Sequence, residues 1–196
     1  MSSKRVKDKW RGKNWFRLVS PGSFGEVELG EIPADDSEKV LGRIVEVTLY
    51  DITEDFSHQY MKMRFQVVNV EGKKAITMFK GHEYSRDYLR SLVRRRTSRI
   101  DGIFNVKTKD GYELTVSVSA FTLQRVNTSQ ETDIRMLMRQ IVAKKASELT
   151  FDQFVQEMVL GKIASDIYNE AKKISPLRHV GIRKSKLTEQ PPKVAA

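Results

Sequence analysis

The sequence predicts an α+β fold: an antiparallel, barrel-like β core of about six strands, one basic helix inserted among them, C-terminal helices, and basic N- and C-terminal extensions. Three observations predict it. Apolar and polar residues alternate with a period of two over residues 61–67 and over both arms of 104–118, the pattern of half-buried strands. Between these β regions lies the stretch 86–99, RDYLRSLVRRRTSR, where Arg86, Arg90 and Arg94 recur at helical spacing. From Glu131 onward the apolar period becomes helical, and no repeated strand–helix–strand unit suggests a parallel sheet.

Residues 1–20 read as a basic arm. Lys4, Arg5, Lys7, Lys9, Arg11, Lys13 and Arg17 interleave there with Trp10, Trp15 and Phe16. Indoles in such an arm can stack on bases or anchor on a protein surface, while Trp15 and Phe16 read equally well as the start of the core. A single domain is expected over 21–187, β-rich over 24–125. After a loop around Pro33, Asp35 and Asp36, residues 41–52 alternate, with Val45, Val47 and Leu49 on one face. Met61, Met63, Phe65 and Val67 then alternate with Lys62, Arg64 and Gln66, and Glu71-Gly72-Lys73 turns the chain into a strand over 75–79.

In the arginine stretch a helical wheel places Arg86, Arg90 and Arg94 in one stripe, with Tyr84, Tyr88, Leu89, Leu92, Val93 and Ile100 on the opposite half. Arg95, Arg96 and Arg99 fall toward the Tyr84 and Leu92 side, placed to brace the next element. This is a hairpin: Asp110-Gly111 is a two-residue turn signal between Phe104, Val106, Thr108 and Tyr112, Leu114, Val116, Val118. Glu113, Thr115, Ser117 and Ser119 predict a wet opposite face. Helices are expected over 131–175. Ile134, Leu137, Met138 and Ile141 form one apolar side with Arg135 and Arg139 turned away, Thr150 and Gln153 have capping-box spacing, Gly161 ends that helix and Pro176 stops the next. A short strand over 178–186 carries Arg183, Lys184 and Lys186, and 188–196 reads as a disordered tail.

The 196 residues carry a net charge of +10, unevenly placed. Residues 1–17 hold seven basic groups against Asp8, residues 84–100 six arginines against Asp87, and residues 171–196 seven basic groups against Glu189; these zones sum to +17, so the remainder carries −7. An acidic body with three basic zones is an electrostatic footprint for a polyanion. The zones could neutralise on the order of six to ten phosphates. Arginine dominates the central one, and its planar fork suits phosphate and stacking. An aromatic-bearing arm and a basic tail suit an irregular RNA surface better than a smooth duplex.

Enzyme chemistry finds no support. The absence of cysteine removes disulfides, thiol nucleophiles and cysteine-ligated zinc, and fits a reducing compartment. No apolar leader or long apolar run indicates export or membrane spanning, so a cytoplasmic protein is expected. Gly22-Ser23-Phe24-Gly25-Glu26-Val27 is similar to part of a kinase glycine-rich loop, but Ser20 stands where its first glycine belongs and the other kinase motifs are missing. His58, His82 and His179 are scattered singly, and the acid pairs Asp35/Asp36 and Glu54/Asp55 read as solvated loops. No metal, cofactor or acid–base constellation is expected.

Several separate blocks carry a further signal: KDKWRGKNWFRLVSPGSFG, LGRIVEVTLYDIT, the long KGHEYSRDYLRSLVRRRTSRIDGIFNVKTKDGYELTVSVSAFTLQR, and IASDIYNEAKKISPLRHVGIRKSKL. In order and spacing they resemble the archaeal and eukaryotic small-ribosomal-subunit protein family eS-one, or S-three-A-e, over about residues 8–187. The chain lacks the longer C-terminal extension of eukaryotic members, which implies the archaeal form. The family's basic N-terminal block falls on Lys7, Lys9, Trp10 and Lys13, its TRD-like block on Ser85, Arg86 and Asp87, its basic run on Arg94, Arg95 and Arg96, and its DGY turn on Asp110, Gly111 and Tyr112. The resemblance implies a β-barrel-like core and a non-enzymatic ribosomal protein on small-subunit rRNA, at the platform near the messenger exit. It implies neighbouring platform proteins as partners, messenger RNA as a further candidate partner, no membrane and no obligate homo-oligomer. The RNA-contacting set expected from charge is Lys4, Arg5, Lys7, Lys9, Trp10, Arg11, Lys13, Arg17, Arg86, Arg90, Arg94, Arg95, Arg96, Arg99, Arg183, Lys184 and Lys186. A free single-stranded RNA- or messenger-binding translational regulator is the alternative.

Overall fold

The computed structural model describes residue 10 and residues 12–191. Expectations for Lys4, Arg5, Lys7, Lys9 and Arg11, and for the chain beyond 191, lie outside the described residues. The chain divides into two compact units: the first takes in the described residues up to Val47 together with Arg64–Phe79, the second Thr48–Met63 and the described residues from Lys80 onward.

In the first unit β1 (Asn14–Val19) pairs antiparallel with β2 (Glu28–Ala34) and parallel with β5 (Lys74–Tyr84), Arg17 opposite Lys74 and Val19 opposite Ile76. The end of the expected arm is therefore a strand. Phe16 and Leu18 point into a core with Ala34, Val40, Val67 and Ala75, while Trp15 on the other face stays 52% exposed. The alternation Trp15-Phe16-Arg17-Leu18 is period two, but the surrounding charge masks it in the sequence. β3 (Ile44–Thr48) pairs with β4 (Met61–Glu71), shorter than the expected 41–52 because α1 (Tyr50–Thr53) follows Leu49. Val47 and Leu49 are buried, as are Met61, Met63, Phe65 and Val67 of β4. Gly72, at φ 61, makes the turn from β4 to β5. Phe24 packs edge-on against Phe65 at 5.8 Å between centroids.

The second unit pairs β5 antiparallel with β8 (Leu177–Glu189), β8 with β7 (Glu113–Thr122), and β7 with β6 (Arg99–Lys107). β8 is longer than the expected 178–186 and includes Thr188 and Glu189 of the expected tail. The eight strands are mostly antiparallel and do not close, so the six-strand barrel is corrected to an open sheet. Among the described residues β2 pairs only with β1, β3 only with β4 and β6 only with β7, leaving three terminal strands where a barrel has none. Gly111 at φ 85 confirms a glycine turn after β6, but Thr108 N–H donates to the Tyr112 carbonyl, which makes the loop three residues rather than two. The expected wet face of β7 is likewise corrected: Ser117 and Ser119 are buried, and the Ser119 hydroxyl donates to Asp101 Oδ1 of β6 at 2.6 Å.

Gly81 lies so close to β8 that an added Cβ would meet the Ser185 carbonyl oxygen, which keeps the backbones in contact beside His82. The His82 ring is buried in the same ladder. Ser185 Oγ lies 2.7 Å from its Nδ1 and the Ile182 carbonyl 2.8 Å from its Nε2. A carbonyl only accepts, so Nε2 carries the proton and Ser185 donates to Nδ1. Ser185 Oγ in turn accepts from His82 N–H at 3.1 Å.

Three helices complete the second unit: α3 (Thr128–Glu148), α4 (Phe151–Val159) and α5 (Lys162–Ala171). Ile134, Met138, Val142 and Ala146 form the buried stripe of α3 at four-residue spacing. Arg135 is not turned away as expected; its Nε donates to the Asp101 carbonyl at 3.2 Å. The capping box at Thr150 and Gln153 is present, and Asp110 of the hairpin adds a bond from Phe151 N–H at 3.0 Å. We expect Thr150→Ala to lower stability by about 1 kcal/mol in thermal or denaturant unfolding; an unchanged midpoint would mean that Asp110 alone caps α4.

Candidate nucleic-acid interface

The central basic zone starts on α2 (Arg86–Leu92), where Ser85 caps the helix by accepting from Tyr88 N–H at 3.3 Å. The helix ends after seven residues. Val93 is extended at φ −77, ψ 125, and Arg96 is left-handed at φ 61. A β-branched residue followed by three like charges opposes further helix. The expected three-arginine stripe is thus corrected: Arg86 and Arg90 share the helix, Arg94 has left it, and Arg94, Arg95 and Arg96 form an exposed turn. Val93, expected on the docked half, is exposed.

Arg99 begins β6, where it is exposed but engaged by neighbouring residues of the fold. Its Nη2 lies 3.0 Å from Asp101 Oδ2, and its guanidinium sits 6.0 Å from the Phe121 ring centroid. It braces the hairpin, as its position on the wheel suggests. Arg95 and Arg96 have no ion pair among the described residues. Arg96 instead faces a polar concavity of about 580 Å³, which it lines with Thr97, Ser98, Arg125, Asn127 and Thr128.

The walls of that concavity are fixed by short bonds. Thr97 Oγ1 donates to the Arg94 carbonyl at 2.7 Å, Ser98 N–H donates to Thr122 Oγ1 at 2.8 Å, and Val126 N–H donates to Ser98 Oγ at 3.3 Å. Glu131 at the rim is engaged by Arg135 at 3.4 Å, which leaves two guanidiniums and several hydroxyls facing the space. Such a site suits a phosphate. Arg125 was missed in the sequence because it stands alone between Gln124 and Val126, outside every basic run.

The other expected contacts divide into free and engaged groups. On β8, Lys186 is exposed and Arg183 half-buried, whereas Lys184 Nζ is 3.2 Å from Glu83 Oε2. In the first unit Arg17 Nε lies 3.6 Å from Glu28 and 3.5 Å from Glu31, and Lys13 Nζ stands 4.0 Å over the Trp10 ring. Arg17, Arg99 and Lys184 are therefore intramolecular partners first. Among the described residues no group of three His, Asp or Glu side chains could hold a metal ion, and no helix is long and apolar enough to cross a membrane.

Comparison with known proteins decides the family. The model of the Ribosomal S3Ae family matches residues 1–191. The chain belongs to this family. Small ribosomal subunit protein eS1 of Desulfurococcus amylolyticus is 53% identical over 190 residues, 95% of this chain and 89% of the relative. The protein of the same name from Sulfurisphaera tokodaii is 53% identical over 192 residues, 97% of this chain and all of the relative. That of Aeropyrum pernix is 54% identical over 186 residues, 93% and 87% of the two chains. The matched span takes in the arginine turn, the hairpin, α3–α5 and β8, and these relatives are archaeal, in agreement with the resemblance read from the sequence blocks.

Proposed function

We propose that the protein is a structural, non-enzymatic constituent of the small ribosomal subunit in the cytoplasm. It binds small-subunit rRNA at the platform near the messenger exit, beside other ribosomal proteins. The observation that carries this reading is membership of the Ribosomal S3Ae family over residues 1–191, with relatives named small ribosomal subunit protein eS1 at about half identity across nearly the whole chain. The geometry supports it chemically. Arg86 and Arg90 on α2, the Arg94–Arg96 turn and the Arg96/Arg125 concavity offer guanidiniums that the fold leaves unneutralised, which suits phosphate positioning and not base reading.

The test is stoichiometry. A tagged chain is expected to sediment with small subunits at one copy each and to remain through a high-salt wash. Recovery in the ribosome-free fraction, bound to short RNAs, would replace this reading with that of a free translational regulator.

A further inference from the structure

The second unit contains a cavity that shares no lining residue with the Arg96/Arg125 concavity. It is about 420 Å³, bounded by Tyr60 and Tyr84 on one side, Tyr168 and Asn169 of α5 on another, and Arg178 and His179 of β8 on a third. Its volume falls within the range of small-ligand pockets.

The aromatic walls are held in place before any ligand arrives. Tyr60 stacks on Tyr88 with centroids 3.8 Å apart and rings 17° from parallel, and meets Tyr84 edge-on at 5.0 Å. Tyr60 therefore has a fixed ring behind it while itself lining the cavity. Tyr168 donates its hydroxyl to the Leu177 carbonyl at 3.3 Å. His179 is wedged between Tyr88, edge-on at 6.1 Å, and Phe121 at 6.4 Å. Burial, then the neighbouring Arg178 charge, holds its pKa below the ordinary histidine value, so the ring is neutral at pH 7. Its Nε2 is buried without a hydrogen-bond partner among the described residues.

The polar groups have a consistent sense. Asn169 is exposed and its amide is unbonded among the described residues, offering a donor and an acceptor side by side. Arg178 is exposed at the rim without an ion pair among the described residues. Among the described residues that line the cavity there is no carboxylate, and Arg178 is the one arginine or lysine. Met61, Val159 and Val180 supply apolar contact between the rings. Flat aromatic walls, one amide with both hydrogen-bonding senses and one guanidinium match a planar heteroaromatic ring carrying an anionic substituent. An acidic peptide would leave the rings unused, and a basic one would meet Arg178.

We propose that this cavity holds a single unpaired nucleobase of the bound RNA, stacked on Tyr60, its edge read by Asn169 and its phosphate met by Arg178. The proposal rests on the RNA-binding reading above and adds base recognition to it.

The experiment compares a single-stranded RNA heptamer containing 2-aminopurine with an all-abasic strand of equal charge, titrated against the full chain and against Tyr60→Leu and Asn169→Ala. Thermal unfolding of each variant checks the fold, and Asn169, being exposed, can be replaced without loss of packing. The base-bearing strand is expected to bind roughly five- to a hundredfold more tightly than the abasic one, with 2-aminopurine quenching. Both variants are expected to remove that gap while abasic binding stays unchanged. A gap that survives in both variants, or no gap in the parent, overturns the base pocket and leaves phosphate binding standing. Failure of both strands to bind the parent overturns the RNA-binding reading and the pocket with it.

Discussion

Replacing Arg95, Arg96 and Arg125 together by alanine is expected to weaken binding to small-subunit rRNA about 100-fold at 0.15 M salt while leaving the unfolding midpoint nearly unchanged. Each phosphate contact contributes about 0.7–0.9 to the slope of log K against log salt. Between 1 M and 0.15 M salt that is roughly four- to fivefold per contact, and three contacts compound to the quoted factor. The three side chains are exposed and have no ion pair among the described residues, so nothing in the fold is broken by their loss. Arg99 is the internal control. Its removal opens the bridge to Asp101 and the contact with Phe121, so Arg99→Ala is expected to affect unfolding more and the salt slope less. A triple variant whose slope falls by less than about one would show that these arginines do not meet phosphates.

Lowering the pH from 7 to 4 is expected to cost the fold on the order of 3 kcal/mol through His82 alone. Burial, partly offset by the bond to the Ile182 carbonyl, brings its pKa from 6.5 down to about 4. The unfolded chain therefore binds the proton first as pH falls. The histidine's contribution is complete above pH 6.5, declines between 6.5 and about 4, and is exhausted below that. His179, also lowered by burial, acts in the same direction. Stability measured by denaturant titration across this window should decline less steeply in His82→Gln, which cannot titrate. An equal decline in the variant would assign the acid sensitivity to other groups.

The parts of this fold legible in sequence are those where one local signal dominates. Met61 to Val67 shows unbroken alternation, Asp110-Gly111 marks a turn, and Thr150 with Gln153 marks a helix start. The strands β1 and β2 were obscured. Charge surrounds Phe16 and Leu18 in one, and Gly30 and Pro33 interrupt the other, although an edge strand tolerates proline. The end of α2 was misread because periodicity continues through Arg94 although the backbone does not. The concavity at Arg96 and Arg125 unites the loop before β6 with the loop after β7, at the open end of that hairpin, and the tyrosine cavity draws on four separated segments. No window of sequence contains either arrangement.

β8 lies between β5 and β7 yet comes after both in the chain, with His82 and Ser185 bonded across 103 residues. During synthesis, then, β5 and β7 emerge with their facing edges unpaired, and neither can be satisfied until the strand that separates them has left the ribosome. Local elements such as the β6–β7 hairpin and α3 can form early, but the sheet of the second unit is completed by a late, long-range insertion. For that interval the nascent chain carries two exposed strand edges and positively charged loops, a combination prone to mispairing and to premature capture by RNA.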